Sequence, residues 1–297
     1  ESSFVYTRPW DSVWTRGGNH SLLLSRNNSN YSCTYYLIFL IIFNSALIFF
    51  IGICLGSFAN VCIHRLPINK QIFTGRSYCP TCTKKIIWYD NIPLLSLIFL
   101  GAKCRYCSAK ISIQYFIVEL VMGMGLLMIY LYYDNVQLQF FLGNLILLYI
   151  IIFFVDLRHF IIPDSLNLAV IILALIKNVL PSFNTSLTHD MLQSFLGMGI
   201  GYICIWLIIY LYKLIKGIEG MGLGDAKLMA GVGCLFGWQS ILPVLFVAAI
   251  LGLLYAIPFL FNKKKNLQSQ IPFGPFIIIA TISYFFLGDI FYEMILF

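Results

Sequence analysis

Charged side chains are scarce in this chain: Asp, Glu, Lys and Arg make up 10% of its 297 residues, where a soluble domain carries about a quarter. Acids are scarcer than bases, 12 against 19, and there are only four histidines. The histidines are scattered: His20 lies near the start, and His64, His159 and His189 stand far apart. Neither Gly-x-Ser-x-Gly nor His-Glu-x-x-His occurs, which removes the usual cues for a serine hydrolase and a zinc protease. A soluble enzyme is excluded by what fills the space instead, since 60% of the residues are hydrophobic and the mean hydropathy is +0.87. The composition is that of an all-α integral membrane protein whose environment is the lipid bilayer. Its formal charge of +7 then reports orientation, because Lys and Arg collect on the cytoplasmic side. No nucleic-acid partner is expected from it.

The apolar runs give the organisation. Residues 1–33 form a polar extension that reads as disordered or non-native, with no short apolar core and cleavage site of a signal peptide. Residues 34–56 are the first run long enough for a bilayer of about 30 Å, and Gly52 and Gly56 are spaced for close helix packing. Residues 57–112 carry Arg65, Lys70, Arg76, Lys84, Lys85, Lys103, Arg105 and Lys110 and read as a small cytoplasmic loop domain. Within them the short run Ile92–Leu100, broken by Pro93, suits an interfacial or buried segment. Residues 113–297 form a multi-helix membrane domain, with runs at 113–133, 138–155, 165–180, 191–212, 228–238, 240–261 and 272–296. Counting the short 228–238 run as a crossing gives about eight spans. The basic loops at 57–112, 156–164, 213–227 and 262–270 then share one side, as the distribution of positive charge requires.

Against this background the few polar motifs stand out. Gly222-Leu223-Gly224-Asp225-Ala226-Lys227 sets an acid and a base beside two glycines, and an ionisable group at the membrane is a functional candidate. Glycine at 222 and 224 leaves room for a peptide backbone to approach. A second acid, Asp156, ends the apolar run Leu145–Val155. Each has a structural alternative. Asp156 could pair with Arg158, and Asp225 could cap a helix starting near Ala226 or pair with Lys227. If the two meet, they can share one proton, since like charges a few ångströms apart cannot both ionise easily. The ionised member then takes a proton from water while the protonated one polarises a scissile carbonyl. Pro163 and Asp164 suit the first turn of the next helix.

Nine cysteines are present. Cys33, Cys54, Cys62, Cys204 and Cys234 lie singly in or beside apolar runs and read as small packing residues. Cys79, Cys82, Cys104 and Cys107 form two Cys-x-x-Cys pairs, each able to offer two ligands to a tetrahedral structural Zn2+. A redox or disulfide role is the alternative, which the expected cytoplasmic side disfavours.

Several of these blocks together resemble the bacterial type IV prepilin peptidases. They are Gly56-Ser57-Phe58-Ala59-Asn60-Val61 with Arg65-Leu66-Pro67, the two cysteine pairs around Trp88-Tyr89-Asp90-Asn91-Ile92-Pro93-Leu94-Leu95-Ser96, and Asp156 with Ile162-Pro163-Asp164. The Gly222–Lys227 motif and Pro272-Phe273-Gly274-Pro275 complete the set. The resemblance implies a multi-pass protein of the bacterial inner membrane with its active site toward the cytoplasm. It implies an aspartic endopeptidase that cuts the basic leader of prepilins or pseudopilins after a glycine, then methylates the new N-terminal residue with S-adenosylmethionine. By motif position Asp156 and Asp225 are the catalytic pair, with Gly222, Gly224 and Lys227 supporting them, and the four paired cysteines hold zinc. The loop 57–112 is the expected methyltransferase part. Two rivals remain at this stage. One is a non-catalytic assembly or transport protein with a zinc-stapled loop. The other is an intramembrane protease of the presenilin type, disfavoured because Val155, not Tyr, precedes Asp156.

Overall fold

The computed structural model describes residues 28–72, 78–79, 81–87, 101, 103–179, 191–217, 220–261 and 271–296, with side chains throughout except at 28–37, 179, 258–261 and 289–296. The expectations for residues 1–27, for Arg76, for Trp88–Ser96 and the Ile92–Leu100 run, and for the loop at 262–270 lie outside the described residues. Among the described residues there are eight α-helices and no strand: α1 (Asn28–Arg65), α2 (Ile113–Tyr132), α3 (Val136–His159), α4 (Asp164–Val179), α5 (Met191–Lys216), α6 (Leu223–Phe236), α7 (Ile241–Phe261) and α8 (Gly274–Leu296). Each corresponds to one of the apolar runs. Five stretches are long and apolar enough to cross a membrane: 38–68, 113–132, 136–159, 191–216 and 238–257. The protein is therefore a multi-pass, all-α membrane protein.

By its internal contacts the chain divides into two units, 1–44 and 45–297. The described part of the first is the N-terminal portion of α1, whose side chains from Ile38 to Phe43 are exposed, with Phe39 stacked on Phe43. Everything below concerns the second unit.

Helix α1 begins earlier and ends later than the run 34–56. Nothing between Ser57 and Arg65 breaks it, and Ala59, Cys62 and Ile63 are buried along that stretch. Only Pro67 brings the change, to a 3-10 turn at Leu66–Ile68. The loop therefore starts about nine residues later than expected. The Gly52/Gly56 spacing does what it promised. A Cβ on Gly52 would lie 2.7 Å from the Gly123 Cα, and one on Gly56 would lie 2.6 Å from the Glu119 Cα. The two helices cross there with their backbones in contact.

Helix α6 holds the centre. Its 14 residues span only about 21 Å, short of a bilayer. Asp225, Ala226 and Leu228–Phe236 are nevertheless all buried, as expected of a helix apolar all round and enclosed by others. It packs chiefly against α5 and α4, and small residues allow this. Gly233 and Gly197 touch backbone to backbone, a Cβ on Gly201 would lie 2.6 Å from the Met229 carbonyl oxygen, and one on Gly231 would lie 2.9 Å from Val170. The buried end of α6 is satisfied by side chains: Lys177 Nζ donates to the Leu235 carbonyl at 2.7 Å and Ser240 Oγ to that of Gly237 at 2.7 Å. Gly233→Leu forces two backbones apart with no flexible neighbour to yield. It is expected to cost at least the upper end of the ~1–3 kcal/mol typical of overpacking. Thermal unfolding in detergent would register this as a lowered midpoint, whereas Gly199→Ala, where a Cβ meets nothing within 4 Å, leaves the midpoint unchanged.

Candidate active site

Helix α3 is fixed at its start by Asn135, whose Oδ1 accepts from the amides of Gln137 and Leu138 at 2.9 and 3.3 Å. It ends at Phe160, left-handed with φ 55°. Asp156 lies in its last turn and is 4% exposed. Helix α6 starts at Leu223, with Gly222 as its N-cap, so Asp225 sits in its first turn, 6% exposed.

The turn between α3 and α4 brings the two acids into one place. It buries Ile162 between two glycines. A Cβ on Gly224 would lie 3.0 Å from Ile162 Cβ, and one on Gly274 would lie 3.1 Å from Ile162 Cδ1 and 2.8 Å from Asp156 Oδ2. Around this side chain the start of α6, the end of α3 and the start of α8 converge. Asp156 Oδ2 accepts from the Gly274 amide at 3.0 Å, and the Asp156 charge acts on Asp225. Asp225 Oδ1 is buried with no hydrogen-bond partner, while Oδ2 lies on the Gly222 side. Two acids 69 positions apart in sequence thus share a nearly closed site at one end of the helices.

The structural alternatives for these acids are not what the structure adopts. Asp156 is held by Gly274, and Arg158 turns outward. Lys227 does not pair with Asp225; its Nζ donates to Asp164 Oδ1 at 2.6 Å. That ion pair is 37% and 75% exposed at its two ends. Exposed pairs contribute about 0–1 kcal/mol, so Asp164→Asn is expected to leave the melting midpoint nearly unchanged, while the α4–α6 junction keeps its shape through Asn167. Of the supporting residues, Gly222 caps α6, Gly224 packs on Ile162, and Lys227 stands at the rim.

Two contributors escaped the sequence reading. Asn167, 2% exposed, donates from Nδ2 to the Gly224 carbonyl at 3.2 Å. A polar residue inside the run 165–180 was the available signal. Gly274 stands in the Pro272–Pro275 block of the resemblance, but the role of its amide carries no signal, since a backbone donor has no side-chain signature.

The four paired cysteines also meet. Their sulfurs all lie within 4.8 Å of one another, with Cys79–Cys107 at 3.8 Å and Cys82–Cys104 at 4.0 Å. Two matching turns present them: the Cys79 amide donates to the Lys84 carbonyl and the Cys104 amide to that of Ala109, with Thr83 and Ser108 left-handed at 57° and 56°. The amides of Cys82 and Thr81 hold the Cys79 thiol down at about 6. Cys107, although the Ala109 amide favours its thiolate, is pushed up to about 12 by desolvation and by the three thiols around it. A tetrahedral ion with metal–sulfur bonds of about 2.3 Å needs sulfurs about 3.8 Å apart, and this cluster fits it.

The fold and the site together define an α-helical, multi-pass membrane protein with a buried pair of aspartates and a tetracysteine loop. Comparison with known proteins says which. Residues 50–133 match the bacterial peptidase A24 N-terminal domain, and residues 143–257 match the type IV leader peptidase family. The prepilin leader peptidase/N-methyltransferase of Dichelobacter nodosus is 36% identical over 270 residues, 78% of this chain and 89% of that protein. Proteins of the same name from Stutzerimonas stutzeri and Aeromonas salmonicida are 34% and 31% identical, over 77% and 79% of this chain and 86% and 88% of theirs. No solved structure matches the chain. The chain belongs to the type IV leader peptidase family.

Proposed function

We propose that this protein is a membrane aspartic endopeptidase that removes the leader of type IV prepilins and prepilin-like proteins at the cytoplasmic face of the bacterial inner membrane, and then N-methylates the exposed residue. The observation that carries the reading is the convergence of Asp156 and Asp225 around Ile162. One carboxylate, ionised, takes a proton from a water molecule as its oxygen attacks the scissile carbonyl carbon. The other, protonated, donates to the carbonyl oxygen. The tetrahedral intermediate then collapses, the C–N bond breaks, and the leaving amine takes up the proton held by the pair. Gly222 presents no side chain to an approaching peptide. Gly274 and Asn167 hold the two acidic segments from behind. Membership of the peptidase family disfavours the non-catalytic rival. The test is cleavage of a prepilin leader by the purified protein and by Asp156→Asn and Asp225→Asn variants.

The cytoplasmic orientation rests on Lys84, Lys85, Lys103 and Lys110 in the loop, Arg158 in the last turn of α3, and Lys213 and Lys216 at the end of α5, which fall on one side when α2 to α5 each cross the bilayer. Zn2+ would be held by Cys79, Cys82, Cys104 and Cys107, where it supplies a cross-link and no open coordination position. The methyl donor is S-adenosylmethionine, and we place methyl transfer in the 57–112 segment. Stripping the metal with a chelator, or Cys104→Ser, is expected to unfold the loop and abolish methyl transfer while cleavage falls by less than about tenfold. Methyl incorporation that survives metal loss unchanged would show that this loop is not the methyltransferase part.

A further inference from the structure

A second polar cluster lies on the same side of the protein, outside the aspartate pair. His64 comes from the last turn of α1, Tyr115 from the first turn of α2, and Arg158 and His159 from the last turn of α3. The Tyr115 hydroxyl and His64 Nε2 are 2.6 Å apart, and the rings stack with centroids 5.3 Å apart and planes at 22°. The His64 ring feels the charges of both Arg158 and His159, and Tyr115 feels that of Arg158. Asn60 Nδ2 donates to the Tyr115 carbonyl at 3.1 Å, which fixes the tyrosine against α1.

The described neighbourhood offers these bases no acid. Asp156 points into the bundle and binds Gly274, Glu119 is buried one turn below Tyr115, and Asp164 is held by Lys227. A position at the end of α3 accounts for two basic residues through the helix dipole. His64 likewise stands in the last turn of α1, so each helix end favours its own base, and it is the meeting of the two ends that gathers them in one place. Arg158 and His159 both act on the His64 ring, and positive charge gathered around it from a second helix end is relieved when an anion sits among these groups.

The surroundings say where that anion comes from. Ile113, Ile117, Leu157, Phe160 and Ile161 are all exposed beside the cluster, so it sits where spanning helices end and apolar side chains still face outward. A soluble anion would meet that rim of hydrocarbon, whereas a phospholipid fits both halves, its phosphate on the bases and its chains along the apolar side chains. We propose that His64, Arg158 and His159, with the Tyr115 hydroxyl, bind the phosphate of an anionic phospholipid. The site is independent of the peptidase reading.

The full-length protein in nanodiscs of phosphatidylcholine, with and without phosphatidylglycerol, tests this. Two readouts serve: the thermal unfolding midpoint, and the lipid retained in native mass spectrometry. Phosphatidylglycerol is expected to raise the midpoint of the wild type. Arg158→Gln loses most of that rise and retains about tenfold less of the lipid, the effect of one lost charge-assisted contact. His159→Gln, at an exposed position that does not support the core, is expected to lose part of both. Lys213→Gln/Lys216→Gln, on the same side but outside the cluster, keeps them. An equal rise in all variants, or loss in the Lys213/Lys216 control alone, overturns the site. A rise produced in the detergent-solubilised wild type by inorganic phosphate, and absent from Arg158→Gln, overturns the lipid as the source and assigns the site to a free phosphate.

Discussion

Asp156→Asn and Asp225→Asn are each expected to reduce leader cleavage by about 10²–10⁴-fold, the contribution of a positioned acid or base. The double variant is expected to be little worse than either single one, because two carboxylates that share a proton act as a unit. Stability separates this outcome from a folding defect. Both acids are buried, and Asp225 Oδ1 has no hydrogen-bond partner, so neither charge is retained for its contribution to folding. An amide of the same shape removes that cost, and the melting midpoint should stay level or rise while activity disappears. Single-turnover cleavage of a prepilin leader beside a thermal melt of each variant gives both readouts. Normal cleavage by either variant would leave the pair without a catalytic role. Lost cleavage together with a lowered midpoint would instead assign the acids to the fold.

The parts of this arrangement that could be read in the sequence are those that signal locally. Apolar runs mark helices because backbone away from water must satisfy its hydrogen bonds within the segment, and a helix stands at each of the eight runs. Gly52 and Gly56 announce a crossing because helix periodicity puts them on one face. The cysteine pairs announce a cluster because two residues between cysteines make a knuckle. What could not be read is pairing between distant segments. Lys227 has Asp225 two places away, yet its helix turns it to Asp164, 63 positions off. Helix α1 outruns its apolar stretch because the basic residue Arg65, which reads as loop, donates from NH1 to the Gln71 and Ile72 carbonyls while the opposite face of α1 stays buried. Helix α6 looks like a short crossing. Its role as the enclosed centre depends on glycines in α5, a different stretch of chain.

The amide of Gly274 is the clearest of these silent contacts, and Gly274→Val is expected to reduce cleavage about as severely as loss of an aspartate. In α8 the residue follows Pro272-Phe273, and Pro275 after it suits a helix's first turn. Its amide is free to leave the helix ladder and reach Asp156. A Cβ there would stand 2.8 Å from Asp156 Oδ2 and 3.3 Å from its Cγ, so the carboxylate itself is what must move. Displacement of a catalytic group by about 1 Å costs on the order of 10²-fold, and Gly274→Ala is expected to lose that much, mainly in kcat. Valine adds two methyls against Ile162, so the turn that gathers α3, α6 and α8 is disturbed as well. Gly252→Ala in α7 is the control, because its Cβ would meet Phe276 at an ordinary 3.6 Å, and it should cleave at the wild-type rate. The order wild type, Gly274→Ala, Gly274→Val in kcat, with KM nearly constant, follows from steric pressure on one carboxylate. Equal activity in all three would mean that Asp156 is positioned by something other than the start of α8.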